Sequence, residues 1–328
     1  MKCPQQDGIR KTLPGSPASL SVCGVAEDRA LGHGRHARKL GAVRAIEIRG
    51  FEAAMVGDAA ALLAESWVGP VPALPADGKG FAAIGGGRLV GYLLSPEGSA
   101  RIRLHEHAAR GDRREVYRRL YAAHSLGAAA ESHQIDMLVS DTVAVQTWFE
   151  LGFGVDQIKG VRSLDTIDVQ RFDIRRADPT DVEPLIRLMI ELNEFHARAP
   201  MSNPDALSEE EARRLVVDDV ARDGGAVWVA VDGPWLVGFM TSHADGTLPR
   251  VATIGAAMVE EARQGQGLGT ALLARTVDWA RETGYERCAV GWTSQSPTSD
   301  RFWRGHGFEP YRYTLRRVIQ SRRVPPRV

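Results

Sequence analysis

Arg263-Gln264-Gly265-Gln266-Gly267-Leu268-Gly269-Thr270 is the stretch on which the reading of this chain turns. It lies between an apolar run, Val251–Val259, and an amphipathic run from about Gly267 to Glu282. Alternating glycines let backbone approach a ligand closely. Successive amide N–H groups at the start of a helix make a positive concavity for phosphate oxygens. The expected ligand therefore carries a pyrophosphate. On spacing alone, a glycine turn with a purely backbone role is the alternative. Two other nucleotide motifs fit poorly. The spacing is G-x-G-x-G rather than G-x-G-x-x-G, and Glu260–Gln264 separates it from the strand. A Walker loop needs a lysine, and the second half of the chain has none.

Working outward, Phe172–Arg176 reads as a strand, and Asp178-Pro179-Thr180-Asp181 opens a helix striped by Leu185, Leu188, Met189 and Leu192. Ser208-Glu209-Glu210-Glu211 opens a second helix with the spacing of a capping box. A hairpin follows over Ala226–Val231 and Leu236–Phe239, then the strand, the glycine stretch and its helix. Arg287–Trp292 reads as a strand, Pro297–His306 as a helix, and Phe308–Val318 as one or two closing strands. This order predicts a mixed sheet in an α/β domain, not a doubly wound one.

The pattern occurs twice. Leu89-Val90-Gly91-Tyr92 matches Leu236-Val237-Gly238-Phe239, and Trp148 through Gly152-Phe153 matches Trp303 through Gly307-Phe308. The first half then reads as a strand at Ala45–Arg49, a helix at Gly57–Ser66, a hairpin over 81–94 and a strand near Arg101–His107. A helix at Arg113–Ser132, a strand at Ile135–Ser140, a helix at Ala144–Leu151 and a strand at Phe153–Arg162 complete it. The expected domains are 43–162 and 172–319, joined by a linker at 163–171. Residues 1–42 and 320–328 read as tails, the first disordered.

Composition agrees with two globular domains: 328 residues, 44% apolar, 41 basic and 41 acidic side chains. Zero net charge argues against nucleic acid or an anionic membrane as partner. No signal pattern or membrane-length apolar run is present, so the expected location is cytoplasmic. Cys3, Cys23 and Cys288 form neither a disulfide framework nor a zinc spacing, and Cys288 reads as a buried inert thiol. His105-Glu106-His107 places two imidazoles on one strand face, without an evident third metal ligand. Trp228 and Trp279 read as core. No metal is expected.

The glycine stretch resembles the coenzyme A pyrophosphate loop, Q/R-x-x-G-x-G/A, of the GNAT superfamily of N-acetyltransferases, with Gln264, Gly267 and Gly269 matching. Ser296 through Trp303, ending at Gly307-Phe308, resembles the family's second motif. The likeness covers most of 172–319, and a degenerate copy covers about 45–162, as in tandem GNAT proteins of bacteria. It implies two acyl-CoA N-acyltransferase domains. In the second, acetyl-CoA would serve as cosubstrate between the strand ending at Val259 and the strand Arg287–Trp292.

Met258 and Val259 would hold the acetyl and pantetheine groups, and Arg263, Gln264, Gly265, Gln266, Gly267, Leu268, Gly269 and Thr270 the pyrophosphate. Ser296, Ser299 and Trp303 would complete the cofactor site. An amine would attack the thioester directly, aided by a base and an acid. The family's acidic Tyr falls on Trp303, whose indole cannot serve. Its Asn falls on Ser296, and its strand glutamate falls near Thr253. The catalytic groups are thus unassigned, with Glu260, Asp245 and His243 as candidate bases and Glu194 and His196 as acceptor contacts.

In the first half the loop falls on Ala109-Arg110-Gly111-Asp112-Arg113-Arg114, with one glycine and a phosphate-repelling Asp112, so that half is expected to be a non-binding copy. The acceptor is a small-molecule amine or a peptide or protein amine, and monomer and homodimer fit equally. Two alternatives stand beside this reading: a mycothiol-synthase-like tandem acetyltransferase, and a non-catalytic acyl-CoA-binding regulatory module.

Overall fold

The computed structural model describes residues 46–67, 71–75, 79–95, 100–127, 131–201 and 207–319; the expected tails lie outside them. The first half runs β1 (Ile46–Gly50), α1 (Val56–Ala64), β2 (Gly80–Gly85), β3 (Arg88–Leu94), β4 (Arg101–Ile102), β5 (His107–Ala109), α2 (Arg113–Gly127), β6 (Ser132–Leu138), α3 (Thr142–Glu150) and β7 (Gly154–Ser163). The second runs β8 (Ile174–Arg176), α4 (Val182–Ala197), α5 (Glu209–Ala221), β9 (Ala226–Asp232), β10 (Trp235–Ala244) and β11 (Val251–Val259). It continues through α6 (Leu268–Glu282), β12 (Arg287–Thr293), α7 (Pro297–Gly305) and β13 (Glu309–Val318).

Local chemistry accounts for most boundaries. Asp178 and Ser208 each form a full capping box, with Asp181 and Glu211 as the reciprocating residues. Ser296 caps α7 through the amide of Ser299, with Pro297 in the first turn.

Two expectations fail. The strand expected over Arg101–His107 is broken into β4 and β5, which belong to different sheets. A turn intervenes, in which the buried Glu106 carboxylate accepts the amide of Arg103 at 2.6 Å. His105 and His107 therefore do not share a strand face. The helix expected to reach Ser132 is described as far as Gly127, and Ser132 opens β6.

The sheets are mixed, as expected. One has the order β1-β2-β3-β5; the other has the order β4-β6-β13-β7-β12-β11-β10-β9-β8. β4–β6 and β11–β12 are parallel, and the remaining pairs are antiparallel. The order shows a reciprocal exchange. β7, the last strand of the first half, pairs with β12 from Arg287↔Ser163 to Thr293↔Gln157. β13, the last strand of the second half, pairs with β6 from Arg312↔Leu138 to Val318↔Ser132. β7 and β13 also pair with each other.

The cores record the same exchange. Ile158 of β7 packs among Met240, Ile254, Leu272 and Val290 of the second half. Leu315 of β13 packs among Tyr117, Leu120, Ile135 and Trp148 of the first. Close approach demands a glycine here: a Cβ at Gly160 would lie 2.7 Å from the ring of Trp292.

In the second half, α6 covers one sheet face through Leu268, Leu272, Leu273 and Val277. α4 and α5 cover the other, packing Leu185, Leu188 and Val216 on Val227, Val229 and Phe239.

Candidate active site

β11 and β12 run in parallel register from Val251↔Arg287 to Ile254↔Val290 and then part. Just past the last pair, β11 carries an irregularity against β10, between the pairs Met240↔Ala257 and Ser242↔Ile254. Thr241 fixes it by accepting the amide of Ala256 on Oγ1 at 2.9 Å. Gly255 is required there, since a Cβ would meet Thr241 Oγ1 at 2.8 Å. Gly255 and Gly291 are both exposed, so the parting strands open onto solvent.

The glycine loop closes one end of this opening. Gly265 and Gly267 have φ of 76° and 93°, left-handed values that glycine adopts readily. Gly267 is the N-cap of α6 and supplies no capping side chain. The first amides of α6 thus have no capping side chain. At Gly269 a Cβ would sit 3.3 Å from Phe302, so the helix start lies tight against α7.

The other expected cofactor residues divide by role. Gln264 Nε2 donates to the carbonyl of Val259 at 3.0 Å, and Gln266 Nε2 donates to that of Ala262 at 3.3 Å. Both side chains shape the loop. Arg263 pairs with Asp232 at the tip of the β9–β10 hairpin. Met258 packs toward α4, Val259 toward α6, and Leu268 is core. Thr270 Oγ1 lies 3.1 Å from His306 Nε2.

Ser296 is fully buried as the cap of α7, with its Oγ 2.9 Å from that of Ser299. Trp303 is buried edge-on against Phe308. Ser296 and Trp303 therefore build α7 into the sheet and offer little surface to a ligand.

The three candidate bases differ sharply. Glu260 is engaged by Arg187 at 2.8 Å. The Asp245 side chain is 1% exposed, and its carboxylate accepts Lys159 Nζ at 2.6 Å, Thr253 Oγ1 at 2.5 Å and the amides of Thr247 and Leu248 at 2.8 Å. Burial alone would raise its pKa, but these donors outweigh it and hold the carboxyl at about 2. It organises the β10–β11 turn and makes a poor proton acceptor.

His243 lies directly across from Thr253, on the sheet face opposite α6. Its Nδ1 is buried and has no hydrogen-bond partner among the described residues, and its Nε2 lies 4.0 Å from where a Cβ on Gly255 would be. Burial lowers its pKa, keeping the ring neutral. Glu194 and His196 lie at the end of α4; Glu194 is exposed and His196 half-buried, its pKa lowered by burial.

Three participants escape a reading of the sequence. Lys159 arrives on β7 from the first half. His306 ties the start of α6 to α7, with Nδ1 2.7 Å from the carbonyl of Phe302. Phe172 packs its ring 3.4 Å from the Cβ position of Gly267. Each depends on a long-range contact that no local spacing announces.

Residues 190–308 match the Acetyltransferase (GNAT) family. That match lies within the second half of the chain. The chain has the fold of tandem GNAT proteins. One solved likeness is a tandem GNAT protein from the clavulanic acid biosynthesis pathway, at 18% identity and a TM-score of 0.50, covering 83% of this chain and 97% of that one. A GCN5-related N-acetyltransferase from Sphaerobacter thermophilus is 15% identical with a TM-score of 0.55, covering 83% and 95%. A GNAT-family acetyltransferase from Colwellia psychrerythraea is 12% identical with a TM-score of 0.53, covering 82% and 98%. These likenesses speak to fold. No curated protein matches the chain. Among the described residues no helix is long and apolar enough to cross a membrane, and no cluster of metal-ligating side chains is found.

Proposed function

We propose that the second half transfers an acetyl group from acetyl-CoA to an amine, with His243 as proton acceptor. The observation that carries this is the uncapped start of α6, facing strands that part after Ile254↔Val290. These residues suit acetyl-CoA: amides of Leu268, Gly269 and Thr270 would hold its diphosphate, and backbone of β11 past Gly255 would hold the acetyl carbonyl. When bound, it supplies an activated thioester.

The amine nitrogen attacks the thioester carbon, the C–S bond breaks, and the amine proton passes to His243. A neutral imidazole beside Gly255 has the lone pair this needs. Trp303 supplies no proton, so the departing thiolate takes one from water.

Acetyl-CoA is expected to raise the melting temperature, and thiol release across a panel of small amines, peptides and protein lysines is expected to identify the acceptor. Absence of any thermal shift would refute the cosubstrate assignment. A shift without thiol release from any amine would favour an acyl-CoA-binding regulatory module, a reading that the buried Trp303 in the family's acid position supports.

A further inference from the structure

The first half keeps an opening of its own. β4 pairs with β6, but β5 departs to pair with β3, and a cleft of about 480 Å³ lies between β5 and β6. That is within the ~300–1,000 Å³ of small-molecule sites. One part of its wall is apolar, built by Leu62 and Leu63 from α1, Met137 and Leu138 from β6, and Val143 of α3; the rest is polar and charged.

The cleft is not built for a diphosphate. Trp148 and Trp303 are equivalent, and the same offset places Asp112 where the second half has Gly267. Asp112 accepts the amide of Glu115 on its carboxylate at 3.2 Å, filling the start of α2. Asp141 likewise caps α3 through the amide of Ala144 at 3.1 Å. Two carboxylates stand where an anionic ligand would need free amides.

What remains is balanced charge. Arg113 pairs with Asp141 on the α2–α3 side, and Arg110 pairs with Glu65 on the α1 side at 2.9 Å. Deeper, His107 and Tyr117 are buried and satisfied: His107 Nε2 lies 2.8 Å from the carbonyl of Asp136, and Nδ1 lies 3.4 Å from the Tyr117 hydroxyl. A ligand with net charge would leave one charge without a partner, which is costly in a half-buried site. A molecule carrying both an ammonium and a carboxylate can lie antiparallel to the half-buried Arg113–Asp141 pair, with its apolar body on the accessible side chains of Leu138 and Val143.

We propose that the first half binds a small zwitterion with an apolar body, an α-amino acid of the leucine type, in the cleft between β5 and β6.

The test is calorimetric titration of the full chain with L-leucine, with isoamylamine (the carboxylate removed) and with 4-methylpentanoate (the ammonium removed). L-leucine is expected to bind, and each analogue at least ~10-fold more weakly. Val143 is 46% exposed at the cleft mouth, so Val143→Trp should fill the mouth without disturbing the core and weaken leucine by a similar factor. Gly267→Asp should leave leucine binding unchanged. The proposal is overturned by absence of heat at millimolar L-leucine. Equal binding of either analogue, or undiminished binding in Val143→Trp, would also overturn it. So would acetyl-CoA binding at two per chain with one site lost in Val143→Trp.

Discussion

Gly267→Asp tests the phosphate cradle with a change the chain already carries at Asp112. Two effects must be separated. The first is strain: at φ 93° a side chain enters the left-handed region, which costs ~1–2 kcal/mol and somewhat less for Asp. Space is not the obstacle, because the new Cβ would lie 3.4 Å from the Phe172 ring, an ordinary contact. The unliganded variant should therefore fold, melting a few degrees low.

The second effect is occupancy. A carboxylate at this cap competes for the amides of Leu268, Gly269 and Thr270 and repels a diphosphate. Hydrogen bonds to charged groups contribute ~1.5–3 kcal/mol each, so losing two weakens acetyl-CoA by at least ~10²-fold. At a concentration 100 times its Kd, a ligand stabilises by ~2.7 kcal/mol. The same concentration on a protein binding ~10²-fold more weakly gives ~0.4 kcal/mol. At ~2–4 °C per kcal/mol, the acetyl-CoA shift should fall from ~5–10 °C to ~1 °C. Differential scanning fluorimetry reads both numbers. Gly267→Ala supplies the control, bearing the strain without the charge. It should lose stability yet keep most of the shift. Retention of the full shift in Gly267→Asp would refute the placement of the diphosphate on α6, and equal loss in both variants would replace the charge argument with strain.

Three further outcomes follow from the geometry. Asp245→Ala leaves Lys159 half-buried without its counter-ion and should cost ~3–5 kcal/mol in chemical denaturation; a cost under ~1 kcal/mol would show the pair to be idle. Its pH signature has a definite sign. The folded pKa lies below the unfolded 3.8, so the contribution is complete above that value and is lost as pH falls through about 2. Gly160→Ala forces a methyl to within 2.7 Å of the Trp292 ring and should destabilise by ~1–3 kcal/mol, whereas the same change at Gly154, with open space around it, should be near neutral. His243→Gln should lower kcat for acetyl transfer by ~10²-fold or more and remove the fall in rate on the acid side of the wild-type pH profile. An unchanged profile would assign proton removal elsewhere.

Local signals made most elements of this fold legible, because a strand, a cap and a glycine turn each announce themselves within a few residues. Asp178, Ser208 and Ser296 cap their helices where the sequence places them, and Val251–Val259 is a strand over its whole expected length. Pairing is a different matter. β7 and β13 are both ten residues long, both follow a Gly-Phe turn, and both can close either half. Nothing local distinguishes their two possible partners.

The choice is made by long-range fit. Gly160 allows β7 to pass under Trp292, Lys159 finds Asp245, and Leu315 fills the space beside Trp148. The same limit governs the site. The pyrophosphate loop is a short run and can be read directly, but proton transfer depends on which ring lies beside Gly255, which the β10–β11 register decides. The exchange also bears on why the first half persists beside a site it does not itself enclose. Removing it would strip β7 from the edge of β12, expose an unpaired strand and take away the lysine that holds Asp245. The two halves are therefore one folding unit, and a cut in the linker between Asp168 and Arg171 should leave both fragments associated in size-exclusion chromatography. Separation of the fragments in native buffer would show the exchanged strands to be dispensable.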